Sequence, residues 1–410
     1  MRTSLVATLM LLAGASASAQ RMIVACPSGR SVQQAVQLAR AGDTVLVSEG
    51  VYTESTIVID RPIVLVGRGK AILDGSKATH MVRVTASDVT IRDLTFRNGQ
   101  LSHVEDRAAI HVGEVSRCRI ENNTITDAFF GIYLARTTGC VIRGNVLAGR
   151  PARSEDGAGN GVHLWTAQDI EVSDNRITGH RDGIYLEFAH AVNARRNVSE
   201  RNLRYGLHFM FSDDCAYEGN TFRANQAGVA VMYTKRVEMS GNRFEGNWGA
   251  AAYGLLLKEI YDSRITGNVF AHNSIALLAD GATRLQAHDN QFTDNGWAIK
   301  LMTSTENASF TGNVFAGNSF DVATNSRGSS NSLRGNYWDS YEGYDLDRNG
   351  VGDVPHRPVR LFSLLIERSE PTMILLRSPL IALLDRAERL IPSLTPEALM
   401  DTAPLMRRPR

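Results

Sequence analysis

One repeat unit of the chain, residues 197–220, reads NVSERNLRYGLHFMFSDDCAYEGN and is enough to suggest the architecture. It runs from Asn197 to Asn220 and carries the short alternating segment Gly206-Leu207-His208-Phe209. Asparagine recurs at the equivalent position along the chain, at Asn123, Asn145, Asn175, Asn197, Asn220, Asn242, Asn268, Asn290, Asn313 and Asn336. The steps between these asparagines are 22, 30, 22, 23, 22, 26, 22, 23 and 23 residues. Such a constant register along half of the chain indicates an internal repeat.

The repeat predicts an all-β protein, a right-handed parallel β-helix in which each turn of chain forms one rung. The units hold short alternating strands and lack the 3.6-residue spacing of a helix. Rungs stack about 4.8 Å apart, so equivalent residues become vertical neighbours and corner asparagines can hydrogen-bond along the stack. A leucine-rich repeat has a similar period, but the L-x-x-L-x-L run is missing. The steps of 30 and 26 residues are insertions around 151–158 and 248–253, expected to form loops at a binding edge.

Four segments are predicted along the chain. Residues 1–19 form a signal peptide, 20–338 the β-helix, 339–371 an aspartate-rich loop and linker, and 372–410 a helical docking tail. A short helix over 31–40 is predicted to cap the N-terminal end of the stack. The tail is apolar but is broken by Pro379, Pro392 and Pro396, so it is too interrupted to cross a membrane. It is expected either to pack back as a cap or to dock on a partner or a bilayer surface.

The net charge and the N-terminal segment restrict the possible functions. The 410 residues carry 44 basic and 43 acidic side chains, and a net charge of +1 argues against a nucleic-acid surface. Arg2, the apolar stretch from Leu5 to Ala13 and the small residues up to Ala19 predict a secretory signal cleaved near Ala19. A periplasmic protein is therefore expected.

The cysteines fall on the repeat. Cys118 and Cys140 are 22 residues apart and Cys215 follows 75 residues later, which makes them equivalent inward positions. An exported chain can keep disulfides. Because cross-rung bonding demands a particular geometry, stacked interior thiols are favoured over a Cys118–Cys140 disulfide and over metal ligation.

Two columns of outward side chains lead to a candidate metal site. The first column carries His111, Tyr133, His163, Tyr185, His208, Ala230 and Leu256, and the second Gly113, Ala135, Trp165, Glu187, Met210, Met232 and Lys258. His208 and Met210 share one strand, and Met232 lies one rung above Met210. An imidazole with two thioethers is a soft ligand set suited to Cu(I). The alternative is an apolar strip covered by a loop or a partner; Met302, three rungs further on, is too far away to share the ion.

A second metal site is suggested where the repeat stops. Asp345, Asp347, Asn349 and Asp353 place oxygen ligands around a glycine turn, as in the first half of a calcium loop. The glutamate that closes such a loop is missing, because position twelve is His356. The segment is either a calcium site or a carboxylate-rich turn.

An enzyme is the alternative class of function. The adjacent pair Asp213-Asp214 offers two carboxylates for acid and base or nucleophilic roles, so a lyase, epimerase or hydrolase acting on a polyuronate has to be considered. A solvated turn explains the pair equally well, and Glu187, Asp182 and His180 have no independent support. The surface also lacks a run of basic residues for a polyuronate.

Several stretches share the pattern of one known family. They are Gly42-Asp43-Thr44, Ile59-Asp60-Arg61-Pro62, Leu73-Asp74-Gly75, Arg181-Asp182-Gly183-Ile184, His208-Phe209-Met210-Phe211-Ser212-Asp213-Asp214, Val231-Met232-Tyr233, Gly335-Asn336-Tyr337-Trp338 and the terminal stretch from Ser378-Pro379 to Pro404-Leu405-Met406. Over nearly the whole mature chain they resemble the periplasmic NosD family of nitrous oxide reductase maturation proteins, whose β-helix is of the carbohydrate-binding and sugar-hydrolase repeat type. The histidine–methionine segment with the C-terminal tail is the most specific part.

The resemblance implies copper handling by a protein that is not itself an enzyme. Members of such a family associate with an ABC transporter made of a membrane subunit and an ATPase. They receive copper from a lipoprotein chaperone and help to assemble the copper–sulfur centre of nitrous oxide reductase. Cu(I) is then transferred cargo, and the resemblance favours His208, Met210 and Met232 as its ligands. The chain departs from the expected pattern at Phe209 and Phe211, where tyrosines are expected in relatives, so no phenol hydroxyl is predicted there.

Overall fold

The fold is a right-handed parallel β-solenoid of about 13 turns, as the repeat predicted. The computed structural model describes residues 20–102, 105–150, 157–249, 252–325, 329–363, 383 and 399–409. Each complete turn contributes one strand to each of three parallel sheets, which we call sheets I, II and III in the order in which the chain first visits them. The predicted signal peptide, residues 1–19, lies outside the described residues.

The strands are short, and their bounds follow the repeat. Sheet I contains Met22–Ala25, Thr44–Val47, Val64–Gly67, Thr90–Arg92, Arg119–Glu121, Val141–Arg143, Glu171–Ser173, Asn193–Arg195, Ala216–Glu218, Glu238–Ser240, Arg264–Thr266, Gln286–His288, Ser309–Thr311 and Ser332–Arg334. Sheet II contains Gly50–Tyr52, Ala71–Asp74, Thr95–Arg97, Thr124–Ala128, Val146–Gly149, Arg176–Thr178, Val198–Glu200, Thr221–Arg223, Arg243–Glu245, Val269–Ala271, Gln291–Thr293, Val314–Ala316 and Tyr337–Trp338. Sheet III contains Ile57–Ile59, Val82–Val84, Ala108–Gly113, Phe130–Ala135, Val162–Trp165, Asp182–Glu187, Tyr205–Met210, Ala227–Lys235, Tyr253–Tyr261, Ile275–Thr283, Trp297–Leu301 and Phe320–Thr324.

The interior is one continuous apolar column. Alternate residues of each strand point inward, and in the later rungs sheet II contributes a stack of rings with centroids 4.0–5.6 Å apart. The stack consists of Phe222, Phe244, Phe270, Phe292, Phe315 and Trp338. Offset or parallel ring pairs at this spacing add to the energy of area burial, so the core fixes the rung-to-rung register.

Two asparagine ladders, one of them predicted, satisfy the buried corners. At the corner between sheets I and II, Asn220 Nδ2 donates to Asn242 Oδ1 at 3.0 Å and to the Ala194 carbonyl at 2.9 Å. A second ladder, which the sequence analysis missed, lies between sheets II and III and contains Asn202, Asn225, Asn247, Asn273, Asn295 and Asn318. Each of its members from Asn202 to Asn318 follows a first-ladder asparagine by five residues, a spacing visible in the sequence.

The predicted N-terminal helix is confirmed and spans Val32–Leu38. Ser31 caps it, because its hydroxyl accepts from the Gln34 N–H while the Gln34 side chain accepts from the Ser31 N–H. Val32, Ala35 and Val36 are buried and join the solenoid core. A single 3₁₀ turn follows at Gly75–Lys77.

The end of the chain closes the stack, and the helical docking tail predicted over 372–410 stays a prediction, because most of it lies outside the described residues. Residues 399–409 form bends and isolated β-bridges, and Asp401 pairs in this way with Leu333 and His356. The Asp401 carboxylate accepts from the side chain and the backbone N–H of Asn336, at 2.8 and 3.0 Å. It therefore occupies the place that the next ladder asparagine would take. Residues 372–398, apart from Leu383, lie outside the described residues.

Cys118 and Cys140 are joined as a disulfide, whereas stacked thiols were expected. Their equivalent positions on adjacent rungs hold the Cα atoms 4.6 Å apart, which is within the span of a disulfide. Cys26 and Cys215 are free thiols. Burial raises the pKa of Cys215 to about 12, so this interior thiol is unreactive.

Candidate functional site

The outer face of sheet III carries the predicted columns of side chains. The strand register aligns His111, Tyr133, His163, Tyr185 and His208 in one column, and Met210 pairs with Met232 in the next. Parallel pairing forces this alignment, because each strand repeats the same alternation in the same register. The predicted positions of His208, Met210 and Met232 relative to one another are thus the observed ones.

The first column is a continuous ladder of rings. From His111 to His208 the centroids of neighbouring rings are 5.4, 4.5, 4.8 and 4.9 Å apart. The ring of His80, which lies outside the column, is 4.5 Å from that of His111. Although this face points away from the core, His163, Tyr185 and His208 are more than nine-tenths buried. This burial cannot be predicted from the alternation of the strand, which shows only the face that a side chain occupies and not what covers it.

His208 is a buried imidazole with two unsatisfied nitrogens. Its exposed fraction is 5%, and neither Nδ1 nor Nε2 has a hydrogen-bond partner among the described residues. The rings of Tyr185 and Tyr205 pack against it, and their centroids lie 4.9 and 4.8 Å from the centroid of the imidazole. Buried polar atoms are normally paired, so an unpaired imidazole in an aromatic pocket is a candidate ligand group.

The thioether of Met210 reaches the same pocket. Its Sδ lies 3.5 Å from the Tyr185 hydroxyl, which donates to it. His208 and Met210 therefore both contact Tyr185. Met232 is placed beside Met210 by the strand register, and both methionines are half-buried. Lys258 and Asp280 follow Met232 in this column, which separates it from Met302.

Exposed rings border the methionines at the next corner. Phe188, Phe211 and Tyr233 occupy equivalent positions on three rungs and stack with centroids 5.3 and 5.1 Å apart. All three have φ near +50°, a region that bulky residues seldom adopt. They are 40–52% exposed, and Phe211 and Tyr233 line a groove of about 650 Å³. The thioether patch thus opens onto an aromatic surface.

A cleft of about 710 Å³ lies over the ring ladder at His163 and Tyr185. His163, Arg181, Tyr185 and Glu187 line it, together with Ser102, Glu105, Asp106, Phe129, Phe130 and Ala158. Asn160 holds His163 Nδ1 at 3.3 Å, and His163 Nε2 is buried with no partner in the described part of the chain. Burial lowers the pKa of His163 to about 3 and raises that of Tyr185 to about 12. The long step before Asn175 was the sequence signal for a loop here.

The carboxylates considered for catalysis have different environments. Asp213 lies 3.5 Å from Lys235 Nζ, and Asp214 accepts from Arg236 and lies 2.9 Å from His190 Nε2. Asp213 and Asp214 are therefore engaged in rung-to-rung ion pairs. The three other residues that were considered for catalysis are placed differently. Glu187 lines the cleft, whereas Asp182 and His180 are buried below the outer face.

The predicted calcium loop is folded around its own backbone. Asp345 accepts from the N–H groups of Asn349 and Gly350, at 3.1 and 2.8 Å, and Asp353 accepts from Leu346 N–H at 2.7 Å. Asp347 accepts from the Asn349 side chain at 2.7 Å. Within the described ranges, no three His, Cys, Asp or Glu side chains converge as a metal site. Calcium binding by Asp345, Asp347, Asn349 and Asp353 stays a prediction.

Two families match the chain in sequence. The family described as periplasmic copper-binding protein (NosD) matches residues 148–343, and the right-handed β-helix region matches residues 61–157. A probable ABC transporter binding protein NosD of Pseudomonas aeruginosa is 31% identical over an alignment of 379 residues that covers 86% of this chain and 86% of its own length. A protein of the same name from Stutzerimonas stutzeri is 26% identical over 423 residues, covering 98% of this chain and 94% of its own length.

Solved structures share the fold at lower identity. The A-module of the Azotobacter vinelandii mannuronan C-5 epimerase AlgE4 is 17% identical with a TM-score of 0.61, covering 73% of this chain and 94% of the module. A family 28 exopolygalacturonase of Yersinia enterocolitica is 10% identical with a TM-score of 0.58, covering 78% of this chain and 79% of that enzyme. At these identities the likeness concerns the solenoid alone. No helix within the described residues is long and apolar enough to cross a membrane.

Proposed function

Because the chain belongs to the NosD family of periplasmic copper-binding proteins, we propose that it binds and relays Cu(I) during assembly of the copper centre of nitrous oxide reductase. The predicted family resemblance is confirmed. In this proposal the ion is cargo held by His208, Met210 and Met232, and the protein itself is not an enzyme.

The observation that carries the proposal is the convergence of His208 and Met210 on Tyr185. A buried imidazole, whose Nε2 has no hydrogen-bond partner in the described part of the chain, and a thioether both contact one phenol ring, on a face that the strand register extends to Met232. Imidazole and thioether are uncharged, polarizable donors that suit Cu(I) and suit Mg²⁺ or Ca²⁺ poorly. Flexible methionine side chains also allow an ion to be passed on without repacking the core.

A direct test is a competitive titration of the mature protein with Cu(I) and a chromophoric chelator. The triple variant His208→Phe, Met210→Leu and Met232→Leu keeps side-chain volume while it removes the three donor atoms. We expect it to lose affinity by at least tenfold. Met302→Leu is the matched control, because Met302 continues the same column three rungs away. Equal affinity of the triple variant and the wild type would refute the ligand assignment.

The partners follow from the family. Both relatives are named as ABC transporter binding proteins, and we propose that this chain likewise acts with a transporter membrane subunit and its ATPase. A lipoprotein copper chaperone is the proposed donor and nitrous oxide reductase the proposed acceptor. Co-purification of the tagged chain with the membrane subunit tests the association, and its absence from membranes that contain the transporter would contradict it.

The cleft over the ring ladder keeps one alternative open, a saccharide-binding or carbohydrate-active protein. Its aromatic wall, Phe129 and Phe130, and its mixed polar lining suit a sugar ring. However, His163 remains neutral and Tyr185 remains protonated near neutral pH, so neither is tuned for acid–base exchange. A polyuronate cleavage assay and a copper titration on the same sample separate the two functions, since turnover without copper binding would favour the enzyme.

A further inference from the structure

A buried carboxylate lies next to the proposed copper ligand His208. Asp182 Oδ2 is 3.6 Å from His208 Nδ1, and the two side chains are 0% and 6% exposed. This separation is slightly longer than a hydrogen bond. No other charged oxygen within the described residues forms an ion pair with this imidazole.

Asp182 is held rigidly by the next rung. Arg204 on the next rung donates to both of its oxygens, from Nε at 2.8 Å and from Nη2, and the Tyr205 N–H donates at 3.3 Å. The bidentate ion pair with Arg204 fixes the carboxylate as an acceptor that faces the imidazole.

The Asp182–Arg204 pair is more buried than most aspartate–arginine pairs of the solenoid. Aspartate–arginine pairs also bridge neighbouring rungs at Asp174–Arg196, Asp214–Arg236 and Asp262–Arg284, and their aspartates are 41, 31 and 46% exposed. Only in the pair with Arg204, among these four, is the aspartate fully buried. Glu200, which pairs with Arg176 and Arg223, is equally buried, and Asp182 differs from it in facing an imidazole.

The role of Asp182 follows from the chemistry of imidazole. A neutral histidine carries one N–H, and the nitrogen that faces a carboxylate is the one that keeps the proton. The other nitrogen then offers its lone pair. Histidines that bind metals usually donate their second ring N–H to a carboxylate or a carbonyl in this way.

We propose that Asp182 is a positioning residue for copper binding, which holds the proton of His208 on Nδ1 and leaves Nε2 as the ligand atom. The inference rests on the proposed function of His208. It adds a residue whose side chain does not touch the ion and whose effect passes through the tautomer and orientation of the imidazole.

The test uses the mature chain and the isosteric variant Asp182→Asn. In ¹⁵N-histidine-labelled protein without copper, we expect the wild-type ring of His208 to be protonated on Nδ1, and the variant to populate the Nε2–H form. In the Cu(I) titration the variant should bind roughly 10–100-fold more weakly. Asp262→Asn, which removes a rung-bridging carboxylate far from His208, is the matched control and should change neither readout.

The two proposals fail in different ways. If the wild type does not bind Cu(I), or if His208→Phe binds as tightly, the proposed function fails whatever the tautomer. If His208→Phe weakens binding while Asp182→Asn changes neither tautomer nor affinity, the positioning role alone is refuted. Should Asp182→Asn not fold, the wild-type ring decides: an Nδ1–H tautomer of His208 supports the role, and an Nε2–H tautomer overturns it.

Discussion

Replacing Asp401 with alanine is predicted to open the C-terminal end of the solenoid. The carboxylate is fully buried and takes the place of the next asparagine in the first ladder. It accepts from Asn336 N–H and Nδ2 at 3.0 and 2.8 Å and from Trp338 Nε1 at 3.1 Å. Alanine removes the acceptor from all three donors, of which only Asn336 Nδ2 keeps another bond, to the Phe310 carbonyl at 3.0 Å.

The magnitude follows from the number of donors. A buried donor that loses its acceptor costs about 1–3 kcal/mol, more when the acceptor is charged. Three donors give a range of about 3–9 kcal/mol, and the lower part applies because water can enter at the end of a stack and because a buried charge no longer has to be desolvated. We therefore expect the last rung to lose about 3–5 kcal/mol.

Hydrogen exchange is the suitable assay, since a solenoid opens locally from its ends. At about 1.4 kcal/mol per factor of ten, peptides covering 332–339 should exchange at least a hundredfold faster in Asp401→Ala. Peptides covering 197–220 should be unchanged. Asp339→Ala is the control, because Asp339 accepts one bond, from Gly317 N–H at 2.6 Å, at an exposed position. Unaltered protection of 332–339 in Asp401→Ala would refute the capping argument.

Three further predictions concern the corners, the pH response and the thiols. Asn220→Ala should lower the free energy of unfolding by at least about 3 kcal/mol, because four ladder hydrogen bonds at 2.9–3.0 Å are lost. Asn318→Ala, at the half-exposed end of the second ladder, should lower it less. Equal losses in urea unfolding of the two variants would contradict this. Burial raises the pKa of Asp321 from 3.8 to about 6. The stability that the protonated side chain contributes is therefore present below pH 4, and about 3 kcal/mol of it is lost as the pH rises through 6. Asp321→Asn should remove this pH dependence from thermal midpoints measured between pH 4 and 7. Thiol labelling of the denatured, unreduced protein should modify two cysteines, and four after reduction, and labelling of Cys118 or Cys140 before reduction would exclude the disulfide.

The capping role of Asp401 also changes how the tail should be tested. A deletion of 372–410 removes the cap together with any docking segment, so loss of transporter association would have two explanations. A deletion of 372–398 keeps residues 399–409, which close the stack. Only the second deletion reports on docking by itself.

The sequence predicted the features that repeat. The step of the ladder asparagines identified the solenoid, and the alternation around Ile132 and Leu134 placed His208, Met210 and Met232 on the outer face. These predictions succeed because parallel pairing turns a sequence period into a spatial column. The second ladder was equally visible, five residues after the first, and was missed only because a single asparagine per rung already explained the period.

Features that occur once could not be read from the period. Asp401 pairs with Asn336 across 65 residues of chain, and no repeat connects them. The Cys118–Cys140 disulfide depends on a Cα separation that only coordinates supply. Burial of the His163 and Tyr185 rings likewise depends on neighbouring loops and not on the strands that carry them.

The order of side chains in the methionine column bears on how copper would move. Glu187 precedes Met210, and Lys258 and Asp280 follow Met232, so the soft donors are confined to two rungs. Charged, strongly hydrated neighbours on both sides do not offer a path for Cu(I) along the column. An ion held by His208 has to arrive and leave across the surface, where Phe211 and Tyr233 are exposed. We therefore expect one Cu(I) per chain, exchanged directly with a bound partner.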